Sequence, residues 1–436
     1  MFTPLRNQAY RNLFIAQVMA LLGTGMATVA LGLLAHDLAG ANSGEVLGIA
    51  LAIKMIAYIA VAPFASALAA NIPRKTLLVS LDVVRAGVAA ALPFVTEAWQ
   101  VYGLMTVLYV ASAAFTPAFQ SMIPDILADE REYTKALSLS RLASDLESVA
   151  SPMLAAVLLG WMTYNNLFVG TAVGFIASAL LVVFALLPLK PYVKPRPFLQ
   201  RLTIGFRQFL HTPRLRGLLA ISLATAAGGA MVFVNTVAIV QTDLRLSPQD
   251  TAWALAVFGA GSMLAALLLP PLLGSVPDRL AMIGGGVLMT GVLVTGVFYR
   301  GGYIDLFVMW FVMGAGYSLT LTPAGRVLRR SSSAEDRPAL FAAQFALSHA
   351  CWLVAYPLAG LISAKADVPF AFSVLAVLCA MGVLTAFLLW PAHDPDNIPH
   401  RHEELPPDDP HLQGTAEHEH PFVIDDRHPR WPSPRG

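Results

Sequence analysis

The sequence predicts an all-α integral membrane protein whose twelve transmembrane helices form two six-helix bundles, with both termini cytoplasmic. Three observations support this: the scarcity of charge, the number of long apolar runs, and the distribution of lysine and arginine among the loops. Hydrophobic residues make up 56% of the 436 residues, and charged residues only 13%. Soluble domains carry about 25% charged residues, so a large part of this chain is expected to face lipid.

Twelve runs are long enough to cross a bilayer, which takes roughly 20 mostly apolar residues. They lie at about 12–35, 45–70, 77–96, 101–121, 137–161, 166–188, 217–241, 250–275, 280–299, 304–324, 339–363 and 369–390. A more polar interval separates the first six from the last six. We therefore divide the chain into a first bundle (1–189), a linker (190–216), a second bundle (217–391) and a tail (392–436).

Lysine and arginine occur mainly in one set of loops, and such loops are usually cytoplasmic. With a cytoplasmic N-terminus, the outside loops hold only Arg245, Arg300 and Lys365. The inside loops and the linker hold Arg6, Arg11, Arg74, Lys75, Arg131, Lys135, Lys190, Lys194, Arg196, Arg201, Arg207, Arg214, Arg216, Arg279, Arg326, Arg329, Arg330 and Arg337. This asymmetry favours twelve helices with both ends inside.

The linker contains apolar residues at helical spacing: Phe198, Leu202, Phe206, Phe209 and Leu210. Arginines lie between them. This pattern predicts a short amphipathic helix on the cytoplasmic leaflet that tethers the two bundles.

The two halves also resemble each other in sequence. Thr116-Pro117-Ala118 ends the fourth run and Thr322-Pro323-Ala324 ends the tenth. Fourteen residues after each proline stands an arginine, in Ala-Asp-Glu-Arg (128–131) and Ala-Glu-Asp-Arg (334–337). The next run carries Pro152 in one half and Pro357 in the other. Three coincidences in register indicate a duplicated six-helix unit, as in transporters whose bundles rock against each other.

Three motifs connect the chain to a known family. The first is Pro-Arg-Lys-x-Leu-Leu (73–78) leading into Asp82-x-x-Arg85, and the second is Phe-Thr-Pro-Ala-Phe-Gln-Ser-Met-Ile-Pro (115–124). The third is Gly-Phe-Arg-x-Phe-Leu-x-x-Pro-x-Leu-Arg (205–216). With them the chain resembles the major facilitator superfamily over residues 8–391, and within it the bacterial drug, siderophore and metal exporters.

The chain departs from the superfamily pattern in its gate loops. The loop between helices two and three normally reads Gly-x-x-x-Asp-Arg-x-Gly-Arg-Lys, whereas residues 66–75 lack both glycines and the Asp-Arg pair and keep Arg74 and Lys75. The equivalent loop of the second half keeps Asp278-Arg279. We therefore expect the inward gate to be latched mainly from the second half. The helix-five motif of the exporters is also degenerate, at Ser-Pro-Met-Leu-Ala-Ala (151–156).

Ionisable residues inside membrane runs are costly, at about 2.5–3.5 kcal/mol each, and are therefore functional candidates. The clearest are in the first half: Lys54, Asp82, Arg85, Arg141, Asp145 and Glu147. The spacing pairs Asp82 with Arg85 and Arg141 with Asp145, and we expect both pairs to help close the cytoplasmic side. A deep carboxylate such as Glu147 holds a proton readily. It could couple transport to protons, or form a static pair with Lys54.

Polar residues in other runs are candidates for a central cavity. They are Gln17, Thr24, Asn235, Tyr317, Thr320 and His349. Each could instead bond its own helix or a neighbouring one. For His349 we favour a hydrogen-bonded histidine over a metal ligand, because Cys351 is two residues away and faces elsewhere.

The tail is rich in proline, acid and histidine, a composition that predicts disorder. It holds seven of the ten histidines, including the His-x-His steps at His400 and His402 and at His418 and His420. Imidazoles bind nickel, cobalt, zinc or copper, and some nickel and cobalt exporters of the superfamily have such tails. The alternative is a solvated acidic tail with incidental histidines. Residues 422–431 form an apolar-bounded patch that we expect to dock on the cytoplasmic face or on another protein.

The resemblance implies a secondary active transporter of the bacterial inner membrane, without cofactor, covalent chemistry or nucleic-acid partner. We expect a monomer that exports a small solute in exchange for protons by alternating access. The solute would be a drug-like or siderophore compound, or a transition metal such as nickel or cobalt. The alternative is a membrane sensor or receptor that uses a transporter fold without transporting.

Overall fold

The computed structural model describes residues 2–39, 43–69, 72–187, 196–299, 301–401, 417–425 and 427–432. Within these ranges the chain forms fourteen α-helices and one two-stranded sheet. The helices are α1 (Gln8–Ala39), α2 (Ser43–Leu68), α3 (Arg74–Ala91), α4 (Ala98–Ile126), α5 (Glu130–Leu159), α6 (Tyr164–Phe184), α7 (Phe198–His211), α8 (Pro213–Val237), α9 (Pro248–Leu272), α10 (Asp278–Val297), α11 (Tyr303–Leu321), α12 (Ala324–Arg330), α13 (Arg337–Lys365) and α14 (Val368–Leu389). The strands are β1 (Asn397–Arg401) and β2 (Glu417–Pro421).

Eleven helices in the described part of the chain are long and apolar enough to cross a membrane. The predicted fifth span, α5, is not among them, although it is 30 residues long. Arg141, Asp145 and Glu147 lie in its middle and lower its hydropathy. The chain is thus a multi-pass membrane protein, and the count of twelve spans stays a prediction.

The helices group into two bundles of six, α1 to α6 and α8 to α11 with α13 and α14. In the first, α1 packs along α6; in the second, α8 packs along α14 and α9 along α11. Each bundle has its own apolar core, with Phe168 and Phe175 buried in the first and Trp310 and Phe372 in the second. Large apolar side chains on the outer faces remain exposed, as expected for helices that contact lipid.

The bundles meet where α13 packs on α2 and α4, and where α5 packs on α9. One end of this interface carries most of the arginines of the chain, and we call it the arginine-rich face. It comprises residues 72–75, 125–135, 196–216, 274–279 and 324–337, with the described tail residues 392–401, 417–425 and 427–432. The N-terminus lies there too, because Lys135 Nζ donates to Thr3 Oγ1 at 2.9 Å. Both ends of the described chain are therefore on one face.

The linker forms a helix, α7, but two residues of the predicted apolar face, Phe198 and Leu210, are exposed. Ile204 and Phe209 are buried, whereas Leu199 and Leu210 are exposed. The helix packs against α13 and α2, so it contacts both bundles.

The prediction of a disordered tail is wrong for the residues that the structure describes. β1 and β2 pair antiparallel, with His400 opposite His418. Phe422 and Ile424 are buried, and the Gln208 side chain donates to the Ile424 carbonyl at 2.9 Å. Strand pairing and this small apolar core provide the stabilisation that composition did not reveal. Two residues of the patch at 422–431 contact this face, Ile424 through Gln208 and Trp431 through Arg214. His402 lies outside the described residues.

Candidate substrate site and gate

An ion pair on α5 lies at the centre of the bundle interface. Arg141 Nε is 3.1 Å from Asp145 Oδ2, as the four-residue spacing predicts. The same nitrogen donates to Ser262 Oγ on α9 at 3.2 Å. The guanidinium also lies over the Tyr317 ring of α11, 4.9 Å from its centroid. This pair therefore connects the two bundles near the middle of α5.

Lys54 on α2 and Glu147 on α5 are the other central charges. They act on each other electrostatically, but the described residues show no ion pair between them within 4.0 Å. Of the two alternatives for Glu147, the described residues therefore do not show the static pair with Lys54. Lys54 Nζ lies instead 5.6 Å from the Tyr58 ring centroid and 6.0 Å from that of Tyr109, in range for cation–π attraction.

Glu147 is positioned by a close approach of α1. A Cβ atom added to Gly25 would lie 2.6 Å from Glu147 Oε1 and would overlap Ser151. Only glycine therefore lets α1 pass this close to the carboxylate. Carbon and oxygen normally approach no closer than about 3.3 Å. A Cβ atom at position 25 would therefore force the Glu147 carboxylate to move.

Aromatic rings line the interface around these charges. His349 on α13 packs edge-on against Tyr58 of α2, with ring centroids 4.9 Å apart, and its Nδ1–H donates to the Phe345 carbonyl at 2.7 Å. Trp352, one turn further, lies 6.3 Å from Tyr317. These contacts come from both bundles. We call this part of the interface the central zone, and it is formed by Lys54, Tyr58, Arg141, Asp145, Glu147, Tyr317, His349 and Trp352. It is both aromatic and charged.

The remaining cavity candidates mostly satisfy their own hydrogen bonds. Thr24 Oγ1 donates to the Ala20 carbonyl of its own helix at 2.9 Å. Asn235 is buried and donates to the Ala359 carbonyl at 3.3 Å. Thr320 is buried and accepts from Thr225 at 2.9 Å. Gln17 accepts from Ser140 of α5 at 3.0 Å. All four are bonded within their own bundles, and His349 and Tyr317 are the two candidates that contact the other bundle.

Asp82 and Arg85 form an ion pair inside the first bundle. Ser178 Oγ donates to Asp82 Oδ2 at 2.8 Å, and the guanidinium lies between the rings of Phe115 and Phe175. Every described contact of the pair belongs to α3, α4 or α6. These contacts join the three helices within the first bundle.

The arginine-rich face is closed by a second set of ion pairs. Arg74 Nη2 of α3 lies 2.6 Å from Asp125 Oδ2 of α4, and Asp125 Oδ1 also binds Arg337 of α13. Asp125 therefore holds one arginine from each bundle. Lys75, also predicted for the gate, donates to the Val183 carbonyl at 2.8 Å.

The other predicted gate loop contributes Asp278. Asp278 Oδ1 lies 2.9 Å from Arg326 Nε and Asp278 Oδ2 lies 3.6 Å from Arg330 Nη1. Arg326 Nη2 in turn lies 2.8 Å from Glu130 Oε1 of the first bundle. Arg279 donates to the Trp390 carbonyl at 2.7 Å. We call the ion pairs of Asp125 and Asp278 the latch. Both halves contribute residues to the latch, whereas we expected it to be formed mainly by the second half.

Sequence reasoning did not single out Asp125, Arg326, Tyr58, Ser262 or Trp352. Asp125 lies at the end of an apolar run, where an acid is unremarkable, and its partner is 212 residues away. The excess of arginine in 324–337 was a usable signal for the latch. The aromatic residues gave none, because they resemble ordinary core residues.

The tail histidines converge on the arginine-rich face. Ligand nitrogens of His400, His418 and His420 lie within 4.8 Å of one another, and His428, which was not predicted, joins them through His400. Burial and the neighbouring imidazoles lower the pKa of His400 to about 4, so this imidazole is neutral at pH 7. Although burial opposes it, hydrogen bonds from His428 and the backbone lower the pKa of Asp425.

Two similar helical bundles, with a charged and aromatic zone between them and ion pairs at one end, are an arrangement that membrane transporters use. Comparison with protein families agrees with this geometry. The sequence model described as Major Facilitator Superfamily matches residues 13–237 and again residues 218–424. The chain belongs to this superfamily.

One curated relative is the uncharacterized MFS-type transporter YfiS of Bacillus subtilis (strain 168). It is 25% identical over 279 residues, which are 61% of this chain and 65% of YfiS. The alignment thus spans just under two thirds of that relative.

Solved structures share the fold at low sequence identity. The human organic anion transporter MFSD10 (TETRAN) has a TM-score of 0.76 at 11% identity, covering 87% of this chain and 99% of that one. The E. coli fucose:proton symporter FucP has a TM-score of 0.71 at 11% identity, with 88% and 98% covered. A bacterial homologue of the iron transporter ferroportin, in an outward-facing state, has a TM-score of 0.72 at 15% identity, with 87% and 99% covered.

Proposed function

We propose that the protein is a proton-coupled exporter of amphipathic organic solutes, working by alternating access in the bacterial inner membrane. The composition of the central zone supports this. Tyr58, Tyr317 and Trp352 offer aromatic faces, and Glu147 and Lys54 offer charges of both signs. Apolar pockets with a few placed polar groups are typical of sites for organic ligands. The arginine-rich face is cytoplasmic in this proposal, as loop charge indicates.

In the proposed cycle, the solute and a proton compete for Glu147. A cationic or hydrogen-bond-donating group of the solute binds the ionised carboxylate, whereas a proton neutralises it, so one excludes the other. The latch around Asp125 and Asp278 closes the cytoplasmic end while the other end admits the proton. When solute binds from the cytoplasm, the latch is open.

Proteoliposomes with an imposed pH gradient test this proposal, with ethidium as a fluorescent amphipathic probe. We expect gradient-driven efflux by the unmodified protein and its loss in Glu147→Gln. Glu132→Gln is the matched control, because Glu132 lies in the first turn of the same helix on the arginine-rich face. If Glu147→Gln retains pH-driven efflux, the proton site lies elsewhere. If the unmodified protein moves no probe under any gradient, the sensor alternative is favoured.

Transition-metal export is a second candidate, favoured by the histidine cluster of the tail. That cluster lies at the arginine-rich face and not in the central zone. In a strain without its own efflux pumps, full-length protein and a variant lacking residues 395–436 can be scored for nickel and drug tolerance. If the full-length protein leaves nickel tolerance unchanged, nickel export is refuted.

A further inference from the structure

The tail hairpin places three imidazoles on one side of a two-stranded sheet. His400 on β1 is directly opposite His418 on β2, and His420 is two residues further along β2, so the three share a face. The ring centroid of His400 lies 4.7 Å from that of His418 and 4.7 Å from that of His420. The chain then returns and brings the His428 ring to 4.9 Å from His400.

Hydrogen bonds to acceptor oxygens orient three of these rings. His400 Nδ1 is 2.8 Å from the Ile398 carbonyl, His420 Nδ1 is 2.9 Å from the Pro421 carbonyl, and His428 Nδ1 is 2.9 Å from Asp425 Oδ1. Because these oxygens only accept, each Nδ1 carries the hydrogen, and Nε2 of a neutral ring is then an acceptor. Nε2 of His400 and Nε2 of His428 are 3.1 Å apart. At that distance a proton on one ring, or a metal ion between the two rings, lets the two nitrogens approach, so the pair fits either a hydrogen bond or a metal site.

We propose that His400, His418, His420 and His428 bind one divalent transition-metal ion, and that this ion fixes the tail on the arginine-rich face as a regulator of the gate. The ligands are imidazoles, which suit zinc, nickel, cobalt and copper.

The surroundings of the cluster match those of known metal sites. Metal-binding histidines usually donate their second N–H to a carboxylate or a backbone carbonyl, and three of these four do so here. A tetrahedral ion with metal–nitrogen distances of about 2.0–2.1 Å places its ligands roughly 3.3 Å apart. The separation of His400 and His428 is already near this value, and the others, within 4.8 Å, need small side-chain rotations.

The hairpin is attached to the gate by its first residues. Asp396 Oδ1 lies 2.5 Å from Arg330 Nε, and Asp394 Oδ2 lies 3.6 Å from Arg330 Nη2. Arg214 Nη1 lies 3.5 Å from Asp394 Oδ1 and its guanidinium is covered by the Trp431 ring. Asp396 directly precedes β1, so an ion that orders β1 also holds Asp396 against α12.

Arg330 transmits this constraint to the bundle interface. It lies 3.6 Å from Asp278, which binds Arg326, and Arg326 reaches Glu130 of the first bundle. A metal-bound hairpin therefore stabilises the closed arrangement of this face. The regulatory role rests on the proposed alternating access, whereas the metal site itself does not.

A Co²⁺ titration of the full-length protein in detergent, carrying no histidine tag, tests the site through the visible absorption of bound Co²⁺. We expect one equivalent with a four-coordinate spectrum. The double variant His418→Ala, His420→Ala removes this signal, and Asp425→Ala weakens the affinity about 10–100-fold, since it removes the acceptor for His428. His393→Ala is the matched control: it lies in the same tail, is exposed, and is outside the cluster.

Hydrogen exchange separates the site from its role and confirms that the variants fold. In the unmodified protein, Co²⁺ should slow exchange at least tenfold in β1 and in α12, while the membrane helices of the double variant exchange as before. If the unmodified protein gives no stoichiometric spectrum, or the double variant binds as tightly, the metal site is refuted. If Co²⁺ binds without slowing exchange in α12, the regulatory role is refuted. Either result leaves the ethidium assay of the proposed exporter unaffected.

Discussion

Asp125 is the residue whose loss should most directly open the arginine-rich face. Its two oxygens bind Arg74 of its own bundle and Arg337 of the other. The pair with Arg74 survives when the bundles separate, but the pair with Arg337 exists only in the closed arrangement. Asp125→Asn removes that attraction and leaves two guanidinium groups facing each other. The substitution therefore destabilises the closed state selectively.

The magnitude follows from burial. Breaking one side of a buried ion pair costs about 3–5 kcal/mol. The side chains of Arg74, Asp125 and Arg337 are 9%, 14% and 11% exposed, so water at this end screens part of the effect. We take about 2 kcal/mol, which is roughly a 30-fold change in the equilibrium. A face closed in about 99% of molecules would then be closed in about three quarters.

Spin labels across the face measure this shift. Arg131→Cys and Ala334→Cys place one label on each half at exposed positions, and the native Cys351 and Cys379 are buried. Double electron–electron resonance on the labelled pair should show a second, longer distance in Asp125→Asn. Asp129→Asn is the control, because it removes a nearby charge while asparagine still caps α5. An unchanged single distance in Asp125→Asn would show that Asp125 does not latch the bundles.

Two further substitutions test the central zone and the first bundle. Gly25→Ala should displace Glu147 and lower pH-driven ethidium efflux at least tenfold. Gly32→Ala is the control on the same helix, because a Cβ there meets nothing within 4 Å, and it should leave efflux unchanged. If both variants lower efflux equally, Gly25 does not position the carboxylate. Asp82→Asn should lower the thermal unfolding midpoint by several degrees, because the buried Arg85 loses its carboxylate partner at a cost of about 3 kcal/mol. The same variant should bind ethidium with unchanged affinity. A normal midpoint with weakened affinity would assign the pair to substrate binding.

The local parts of the site followed from the sequence, and the distant parts did not. The helix repeat alone brings Arg141 to Asp145, and the structure has that pair. The partners Asp125 and Arg337 are 212 residues apart, so only the packing of α4 on α13 brings them together. The excess of arginine in the loops identified the end of the molecule where the ion pairs between the bundles lie. It did not identify which acids and arginines pair there.

The tail shows where composition misleads. Proline and charge at high density predict a segment that cannot build a core. Here the core is small and shared: Phe422 and Ile424 are buried, and Gln208 of the linker helix α7 and Arg214 of α8 supply polar partners. A segment that docks needs less apolar surface of its own than a segment that folds alone, and composition does not record the surface it docks on.

The duplicated register also explains why the latch is asymmetric. Two identical halves facing each other would bring like charges together at equivalent positions. Equivalent residues have instead diverged in their partners: Glu130 pairs with Arg326 across the interface, whereas its counterpart Asp336 pairs with Arg196 of the linker. The chain continues as helix through Pro117 but breaks between α11 and α12 at Pro323. That break gives α12 its own direction, and α12 carries both Arg326 and Arg330 toward Asp278. In the ion pairs that cross the interface, the first half thus supplies the acids Asp125 and Glu130, and the second half supplies the arginines Arg337 and Arg326.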